Sequence, residues 1–173
     1  MWPGCERRED ARKAAESAFA LFPNVEESYL NLASAYMEQG ELDPARQALR
    51  QGLQAFPDSA PLRLQLASVL LTAGDPEAAA TSLETPVPAE DEARRLGLLA
   101  FAAARTDNWA RVLELMPALG AAAPDTPLQL LFTAALAHAG RLPEAAALWT
   151  PAGGEPHSVS ATRALSVWAS AAA

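Results

Sequence analysis

The feature of this chain that most constrains its fold is a pattern of bulky and small residues that returns every 33 or 34 positions. In its clearest copy the pattern reads Tyr29-x2-Leu32-Ala33-x2-Tyr36, then Gly40, Ala45-x3-Leu49 and Pro57. Gly40 and Gly74 are 34 residues apart, and Asp107 and Gly140 continue the series at intervals of 33. A repeat of this length, with apolar residues at helical spacing before each glycine, predicts helix pairs joined by tight turns.

Composition favours the same all-α fold class. Half of the residues are apolar but only 20% are charged, and alanine dominates the apolar set. Alanine has the highest helix propensity and a small side chain, so helices built from it can pack closely. The net charge of −8 argues against binding to nucleic acid or to an anionic membrane surface, because either would need a basic patch.

The turn signals divide the chain into repeat units within one domain, 1–173. We expect a partial unit at 5–22, four units at 26–59, 60–92, 93–125 and 126–157, and a capping helix at 158–171 that carries Trp168. Turns are predicted at 40–42, 74–76, 106–108 and 140–142. The later units depart from the pattern: Arg63 occupies a bulky apolar position, Asp107 replaces the turn glycine, and Pro86 and Pro88 shorten a second helix.

Five residues are predicted to cap helices. Asn24 precedes Glu27 by three residues, which is the spacing of a capping box. Asp43, Asp75 and Thr126 each stand directly before a proline, and Ser59 stands two residues before one. Proline suits the first turn of a helix, so the polar residue before it is expected to bind the free backbone N–H groups there.

The pattern of bulky, small and aromatic residues followed by glycine, alanine, leucine and proline resembles the tetratricopeptide repeat family. The first two units match well, and the third and fourth are degenerate. The resemblance implies a right-handed superhelical stack of antiparallel helix pairs, an α-solenoid. It also implies that the first helix of each pair lines a concave groove in which a partner peptide or helix binds.

Motifs of catalysis and cofactor binding are absent from the sequence. It contains no GxxxxGK[ST], GxGxxG, HExxH, GxSxG or CxxC. The two histidines, His138 and His157, lack partners at metal-ligand spacing, and the one cysteine, Cys5, cannot form an intrachain disulfide. The sequence therefore predicts a protein that is not an enzyme and that binds neither cofactor nor metal.

Groove residues are projected from the helical period, which places residues three, four and seven apart on one face. The projected residues that would contact a partner are Leu30, Asn31, Met37, Leu64, Gln65, Leu71, Arg94, Leu98, Phe101, Arg105, Leu130, Leu131 and His138. They form an apolar stripe with two arginines beside it, in a chain of strongly negative charge. We therefore expect a protein partner with an apolar segment and an acidic flank.

One subtype of the family clamps the C-terminal carboxylate of chaperones with lysine, asparagine and basic residues. The matching positions here hold Leu30, Ser34, Gln65, Arg94 and Leu98. Only Arg94 keeps a positive charge and only Gln65 keeps an amide, so the resemblance argues against this clamp.

The sequence thus predicts a non-catalytic scaffold that binds a protein segment in a concave groove. Two alternatives remain open: a self-associating structural module, with a homodimer through the stripe or Trp168, and an accessory fragment of a larger enzyme or secretion assembly. No run of 18 apolar residues occurs, so no membrane span is expected. We expect a cytoplasmic protein, or a periplasmic or lipid-anchored one if a signal was trimmed.

Overall fold

The computed structural model describes residues 3–119 and 126–148, and 81% of these are helical, with no strand among them. The predicted all-α class is confirmed. The helices are α1 (Pro3–Leu21), α2 (Glu26–Glu38), α3 (Leu42–Ala55), α4 (Ala60–Ala73), α5 (Pro76–Ser82), α6 (Ala89–Arg105), α7 (Trp109–Leu119), α8 (Thr126–His138) and α9 (Leu142–Ala147). The predicted capping helix at 158–171, with Trp168, and the loop histidine His157 lie outside the described residues.

The helices belong to two compact units, Met1–Leu98 and Leu99–Ala173, whose boundary falls within α6. In the first unit, α2 packs against α1, α3 and α4, and α4 also packs against α3 and α5. In the second unit, α8 packs against α7 and α9. Each unit is thus a stack in which a helix contacts the helices that precede and follow it. The assignment of the whole chain to one domain stays a prediction.

One tight turn separates the two helices of each pair, and all four turns contain the same type of backbone hydrogen bond. A backbone N–H donates to the carbonyl five residues earlier in Glu41→Tyr36 (2.9 Å), Asp75→Leu70 (2.9 Å), Asn108→Ala103 (2.8 Å) and Arg141→Leu136 (2.8 Å). The residue before each donor has a positive φ: Gly40 (78°), Gly74 (83°), Asp107 (54°) and Gly140 (73°). This is the helix-ending motif that favours glycine. All four predicted turns are confirmed, including those of the degenerate units.

Asp107 adopts the left-handed conformation with a side chain that disfavours it. We predict that Asp107→Gly raises the free energy of unfolding by about 0.5–1 kcal/mol, because glycine has no Cβ to strain the turn. The reverse change at the equivalent turn, Gly140→Asp, should lower it by a similar amount. Chemical denaturation of both variants measures the effect. If Asp107→Gly destabilises the chain, the aspartate side chain stabilises the turn by more than its backbone strain costs.

A small residue in each second helix lets the neighbouring helix approach closely. The equivalent positions, 34, 33 and 33 residues apart, hold Ala45, Ala79, Val112 and Ala145, and all four are 0% exposed. Gly52 makes a still closer approach, because a Cβ built on it would lie 3.0 Å from Tyr29 Cβ. Three of these four positions hold alanine, and Val112, which departs from the small-residue pattern, is equally buried.

Arg63 replaces an aromatic residue but keeps that residue's hydrogen bond. The Tyr29 hydroxyl donates to the Pro23 carbonyl at 3.0 Å. Exactly one repeat later, Arg63 Nη2 donates to the Pro57 carbonyl at 2.8 Å. Both side chains therefore tie the first helix of a unit to the loop that precedes it. The departure from the apolar pattern at Arg63 leaves this contact intact.

Two of the five predicted helix caps are confirmed, and the one at Thr126, the first residue of α8, stays a prediction. The Ser59 side chain accepts a hydrogen bond from the Leu62 N–H at 3.1 Å at the start of α4. The Asp75 carboxylate accepts one from the Ala78 N–H at 3.1 Å at the start of α5. Each bond satisfies a backbone donor that the first turn of a helix leaves free.

The other two predicted caps are wrong. The N-cap of α2 is Val25, which makes no side-chain cap bond, so Asn24 lies outside the helix. Helix α3 begins at Leu42, which places Asp43 inside the first turn, where its carboxylate pairs with Arg46. Helix α2 begins one residue later than Asn24 indicated, and α3 begins two residues earlier than Asp43 indicated.

Candidate protein-binding surfaces

The two first helices of the first unit, α2 and α4, are held side by side by side-chain hydrogen bonds. Gln65 Nε2 donates to Ser34 Oγ at 2.7 Å and lies 3.4 Å from the Leu30 carbonyl oxygen. At the helix starts, the Ser59 hydroxyl donates to the Glu26 carboxylate at 2.7 Å. These bonds fix the position of α4 on α2. They also engage the Gln65 Nε2 group, and a role of Gln65 in binding a partner stays a prediction.

The projected groove residues of the first unit differ in how far their side chains are exposed to solvent. Asn31 is exposed, and Leu30, Met37 and Leu71 are half-buried. Leu64 is 0% exposed, so its projection onto the groove was wrong. Helix α4 packs against α2, α3 and α5, and apolar residues surround its axis on nearly every side. The strip of α4 that faces solvent is consequently narrower than helical spacing alone indicated.

The Arg95 side chain forms a bidentate ion pair within α6 and a hydrogen bond that joins the start of α6 to the end of α5. Arg95 donates from Nη2 and Nε to the Glu92 carboxylate at 2.6 and 2.8 Å, and from Nη1 to the Leu83 carbonyl at 2.9 Å. The hydrogen bond from Arg95 lowers the pKa of Glu92 below its ordinary value. Sequence reasoning missed Arg95, although its spacing of three residues from Glu92 is a signal for such a pair. Its neighbours Arg94, exposed, and Leu98, half-buried, are projected groove residues on this helix.

Arg94 and Arg105 differ from five other arginines of the chain. Those five pair with a carboxylate three residues away: Arg12, Arg46, Arg95, Arg111 and Arg141. Arg94 and Arg105 are exposed, and neither forms an ion pair with a residue that the structure describes. A carboxylate on a partner could therefore bind either arginine without displacing an internal one.

The second unit carries the remaining projected residues. Leu130 of α8 is 53% exposed, and Leu131 beside it is half-buried, as is Phe101 of α6. At the end of α8 the exposed His138 ring stacks on the Trp109 indole, with ring centroids 4.4 Å apart and planes 13° from parallel. Among the described residues, Leu130 is the large apolar side chain most exposed within a first helix.

A cleft that the sequence did not predict lies among α1, α2 and α3 in the first unit. Its volume is about 270 Å³, and its lining includes Phe19, Leu32 and Gln51. The Tyr36 hydroxyl donates to the Glu16 carboxylate at 3.3 Å at one side of the cleft. Burial raises the pKa of Tyr36, and the negative charge of Glu16 adds to the shift. The cleft is thus partly apolar, with an acidic edge.

Among residues 3–119 and 126–148, no group of three or more histidine, cysteine, aspartate or glutamate side chains could hold a metal ion. No helix in those residues is both long and apolar enough to cross a membrane.

The helix pairs, their turns and the small residues at their contacts agree with a comparison to known families. Residues 26–69, which span α2, the turn after it, α3 and most of α4, match the family model of the tetratricopeptide repeat. Over these residues the chain carries a tetratricopeptide repeat. The consecutive packing of the helices is that of a tetratricopeptide-like all-α fold, and such repeats generally mediate interactions between proteins. No curated protein matches the chain.

Proposed function

We propose that this chain is a non-catalytic scaffold that binds a segment of a partner protein on its first helices. The observation that carries the proposal is Leu130, a leucine 53% exposed in the middle of a first helix. A leucine side chain exposed to water lacks the stabilisation of about 1.5–3 kcal/mol that full burial would give it. A partner that covers Leu130 together with Leu131 would recover much of that free energy.

The proposed partner segment has an apolar core and an acidic flank. Leu130, Leu131 and the half-buried Phe101 supply apolar surface within the second unit. Arg105, in the same unit, offers a guanidinium group that pairs with no described carboxylate. Because the chain carries a net charge of −8, an acidic segment is repelled over most of the surface and attracted only at such positions. Arginine pairing would orient the segment, and apolar burial would supply most of the affinity.

In the first unit, Leu30, Asn31, Met37 and Leu71 offer a second, more polar surface, with Arg94 and Leu98 on the same unit. The hydrogen bonds that hold α4 on α2 make this surface rigid, which lowers the entropic cost of binding. This surface of the first unit would bind a partner segment through polar groups.

The proposal is tested by capturing the partner from native cells and then titrating the purified partner with variants. Leu130→Ser should weaken binding by at least about tenfold, because a buried anchor residue is lost. Leu21→Ser is a matched control: Leu21 is 73% exposed, but it lies at the end of α1 rather than on a first helix. Arg105→Glu should weaken binding further and reduce its dependence on salt.

Circular dichroism and thermal unfolding should be unchanged in all three variants, because the substituted side chains are exposed. Equal affinity of Leu130→Ser and the wild-type chain would contradict the proposal. Loss of binding in Leu21→Ser alone would place the partner on α1 instead.

A further inference from the structure

The cleft among α1, α2 and α3 combines an acidic side chain with apolar walls, and the binding proposed at Leu130 does not use it. Leu32 of α2 and Ala48 of α3, both buried, line it together with the half-buried Phe19 ring of α1. The Phe19 ring packs edge-on against Tyr29, with ring centroids 5.0 Å apart, which fixes its position. The volume of about 270 Å³ is just below the range of about 300–1,000 Å³ that is typical of sites for drug-sized ligands. The cleft therefore suits a small ligand or a single side chain.

The Glu16 carboxylate supplies charge to the lining of the cleft, and its two oxygens differ in their hydrogen bonds. Glu16 Oε1 accepts from Arg12 Nη1 at 3.2 Å and from the Tyr36 hydroxyl at 3.3 Å. Glu16 Oε2 accepts no hydrogen bond from the residues that the structure describes. On α3 the exposed side chains of Gln47 and Gln51 also line the cleft. A ligand in the cleft can therefore donate a hydrogen bond to Glu16 Oε2 without displacing an internal donor.

We propose that this cleft binds an alkylammonium group, which is a positively charged amine on a short apolar chain. The ammonium would donate to Glu16 Oε2, and the apolar chain would contact Phe19, Leu32 and Ala48. The Phe19 and Tyr36 rings line the cleft, and an ammonium over the face of an aromatic ring is attracted to it. The net charge of −8 also attracts cations to the protein at long range.

The hydrogen bonds of Glu16 favour an ammonium group over a guanidinium group. A guanidinium binds a carboxylate best through two parallel hydrogen bonds, one to each oxygen. Because Glu16 Oε1 already accepts from Arg12 and Tyr36, a bidentate guanidinium would have to displace one of these donors. An ammonium is a compact charge that can bind Oε2 alone.

The charges beside the cleft sum to a negative value, although Arg12 lies close to Glu16. Arg12 pairs with Glu9 as well as with Glu16, and Lys13 pairs with Glu9 at 3.7 Å. These two acidic and two basic side chains are neutral together. The hydrogen bond to Glu9 raises the pKa of Arg12, and the negative charges of Glu16 and Glu41 add to the shift. Glu41 thus leaves the group with one negative charge in excess, which a bound cation would balance.

The sequence itself offers little that could fill the cleft with an alkylammonium group. Lysine, the side chain that carries such a group, occurs once, as Lys13. Lys13 lies on α1 itself and pairs with Glu9. We therefore expect the group to come from a free amine or from a lysine of another protein, and the probes below separate these two sources.

The next two second helices, α3 and α5, carry different chemistry at the equivalent positions. The residues 34 positions after Glu16 and Tyr36 are Arg50 and Leu70. A positive charge and an apolar side chain thus replace the carboxylate and the phenol. A cation site at the cleft is consequently a property of α1, α2 and α3 rather than a general feature of the repeat.

Titration of the isotope-labelled full chain with hexylammonium chloride, followed by nuclear magnetic resonance, tests the proposal. We expect saturable shifts of the backbone amide signals of Phe19, Tyr36 and Ala48. Hexanol has the same apolar chain without the charge and should bind at least about tenfold more weakly. Hexylguanidinium should also bind more weakly than hexylammonium, because Glu16 Oε1 is already occupied by internal donors.

Three variants locate the bound cation. Glu16→Gln should weaken the binding of hexylammonium by at least about tenfold, because it removes the charge and keeps the shape of the side chain. The matched control is Glu38→Gln, which removes an exposed carboxylate of α2 outside the lining of the cleft and should bind as the wild-type chain does. Gln51→Glu adds a second carboxylate to the lining and should strengthen binding by about threefold.

Charge-dependent binding that Glu16→Gln loses and Glu38→Gln keeps supports the proposal. Nα-acetyl-lysine N-methylamide then identifies the source: tighter binding than hexylammonium assigns the cleft to a lysine of another protein, and weaker binding assigns it to a free amine. Equal binding of hexylammonium and hexanol overturns the proposal, because the cleft would then select apolar groups alone. Tighter binding of hexylguanidinium overturns it, as does the absence of saturable shifts at the cleft.

Unchanged affinity of Glu16→Gln also overturns the proposal. If the spectrum of Glu16→Gln shows that this variant does not fold, Gln51→Glu decides, and unchanged affinity of Gln51→Glu overturns it. Leu130→Ser should bind hexylammonium as the wild-type chain does. The proposal at the cleft and the function proposed at Leu130 can therefore fail separately.

Discussion

Phe132→Ala should lower the free energy of unfolding by about 3–5 kcal/mol, the largest loss that we expect from a single truncation in this chain. Phe132 is 1% exposed and is the largest of the fully buried side chains among the described residues. It lies on α8, which packs against both α7 and α9. Truncation removes the apolar contacts of the ring and leaves a cavity that close-packed helices can fill only in part.

Urea denaturation followed by circular dichroism measures this loss. Leu130→Ala is the matched control, because it truncates a residue two positions earlier on the same helix whose side chain is 53% exposed. The control should lower the free energy of unfolding by less than about 1 kcal/mol. If the two variants unfold at the same urea concentration, Phe132 does not occupy the core position that its burial indicates.

Gly52→Leu should destabilise the chain by about 1–3 kcal/mol through overpacking. Gly52 is buried in α3, and a Cβ added to it would meet Tyr29 Cβ and Cγ at 3.0 Å and Leu62 Cδ1 at 3.1 Å. Leucine has a higher helix propensity than glycine by roughly 0.5–1 kcal/mol, which works in the opposite direction. We expect the steric destabilisation to exceed this gain in helix propensity. The atoms nearest the new Cβ include Tyr29 Cβ, which cannot move unless α2 moves.

Ala55→Leu provides the comparison for Gly52→Leu, since Ala55 is exposed at the end of the same helix. Its midpoint of denaturation should stay close to that of the wild-type chain. A stabilising effect of Gly52→Leu would show that α2 and α3 can separate at low cost. The close approach at Gly52 would then contribute little to the fold.

Much of the fold could be predicted because the repeat depends on local chemistry. The spacing of Gly40, Gly74 and Gly140 identified three turns, since a left-handed backbone at a helix end selects glycine. Asp107 was placed by spacing alone, and its φ of 54° confirms the register. The alanines at the helix contacts were likewise predictable, because small residues are needed wherever two helix backbones approach closely.

The surfaces were harder to predict because exposure depends on neighbours that helical spacing does not specify. Leu64 and Leu71 lie seven residues apart and share a face of α4, yet Leu64 is buried and Leu71 is half-buried. Asn24 failed as a cap because α2 begins at Glu26, one residue later than Asn24 indicated.

The hydrogen bonds of Tyr29 and Arg63 explain how the repeats of this chain can diverge in sequence while their geometry persists. A phenol and a guanidinium group have little in common, but both reach the proline carbonyl of the preceding loop. That acceptor belongs to the backbone, so no substitution of a side chain can delete it. A side chain at such a position needs only to reach this carbonyl and to donate a hydrogen bond to it, whatever its residue type. The family match ends at residue 69, whereas the same turn geometry recurs as far as Arg141. In this chain, the backbone geometry of the repeat therefore extends further along the sequence than the side-chain pattern that matches the family.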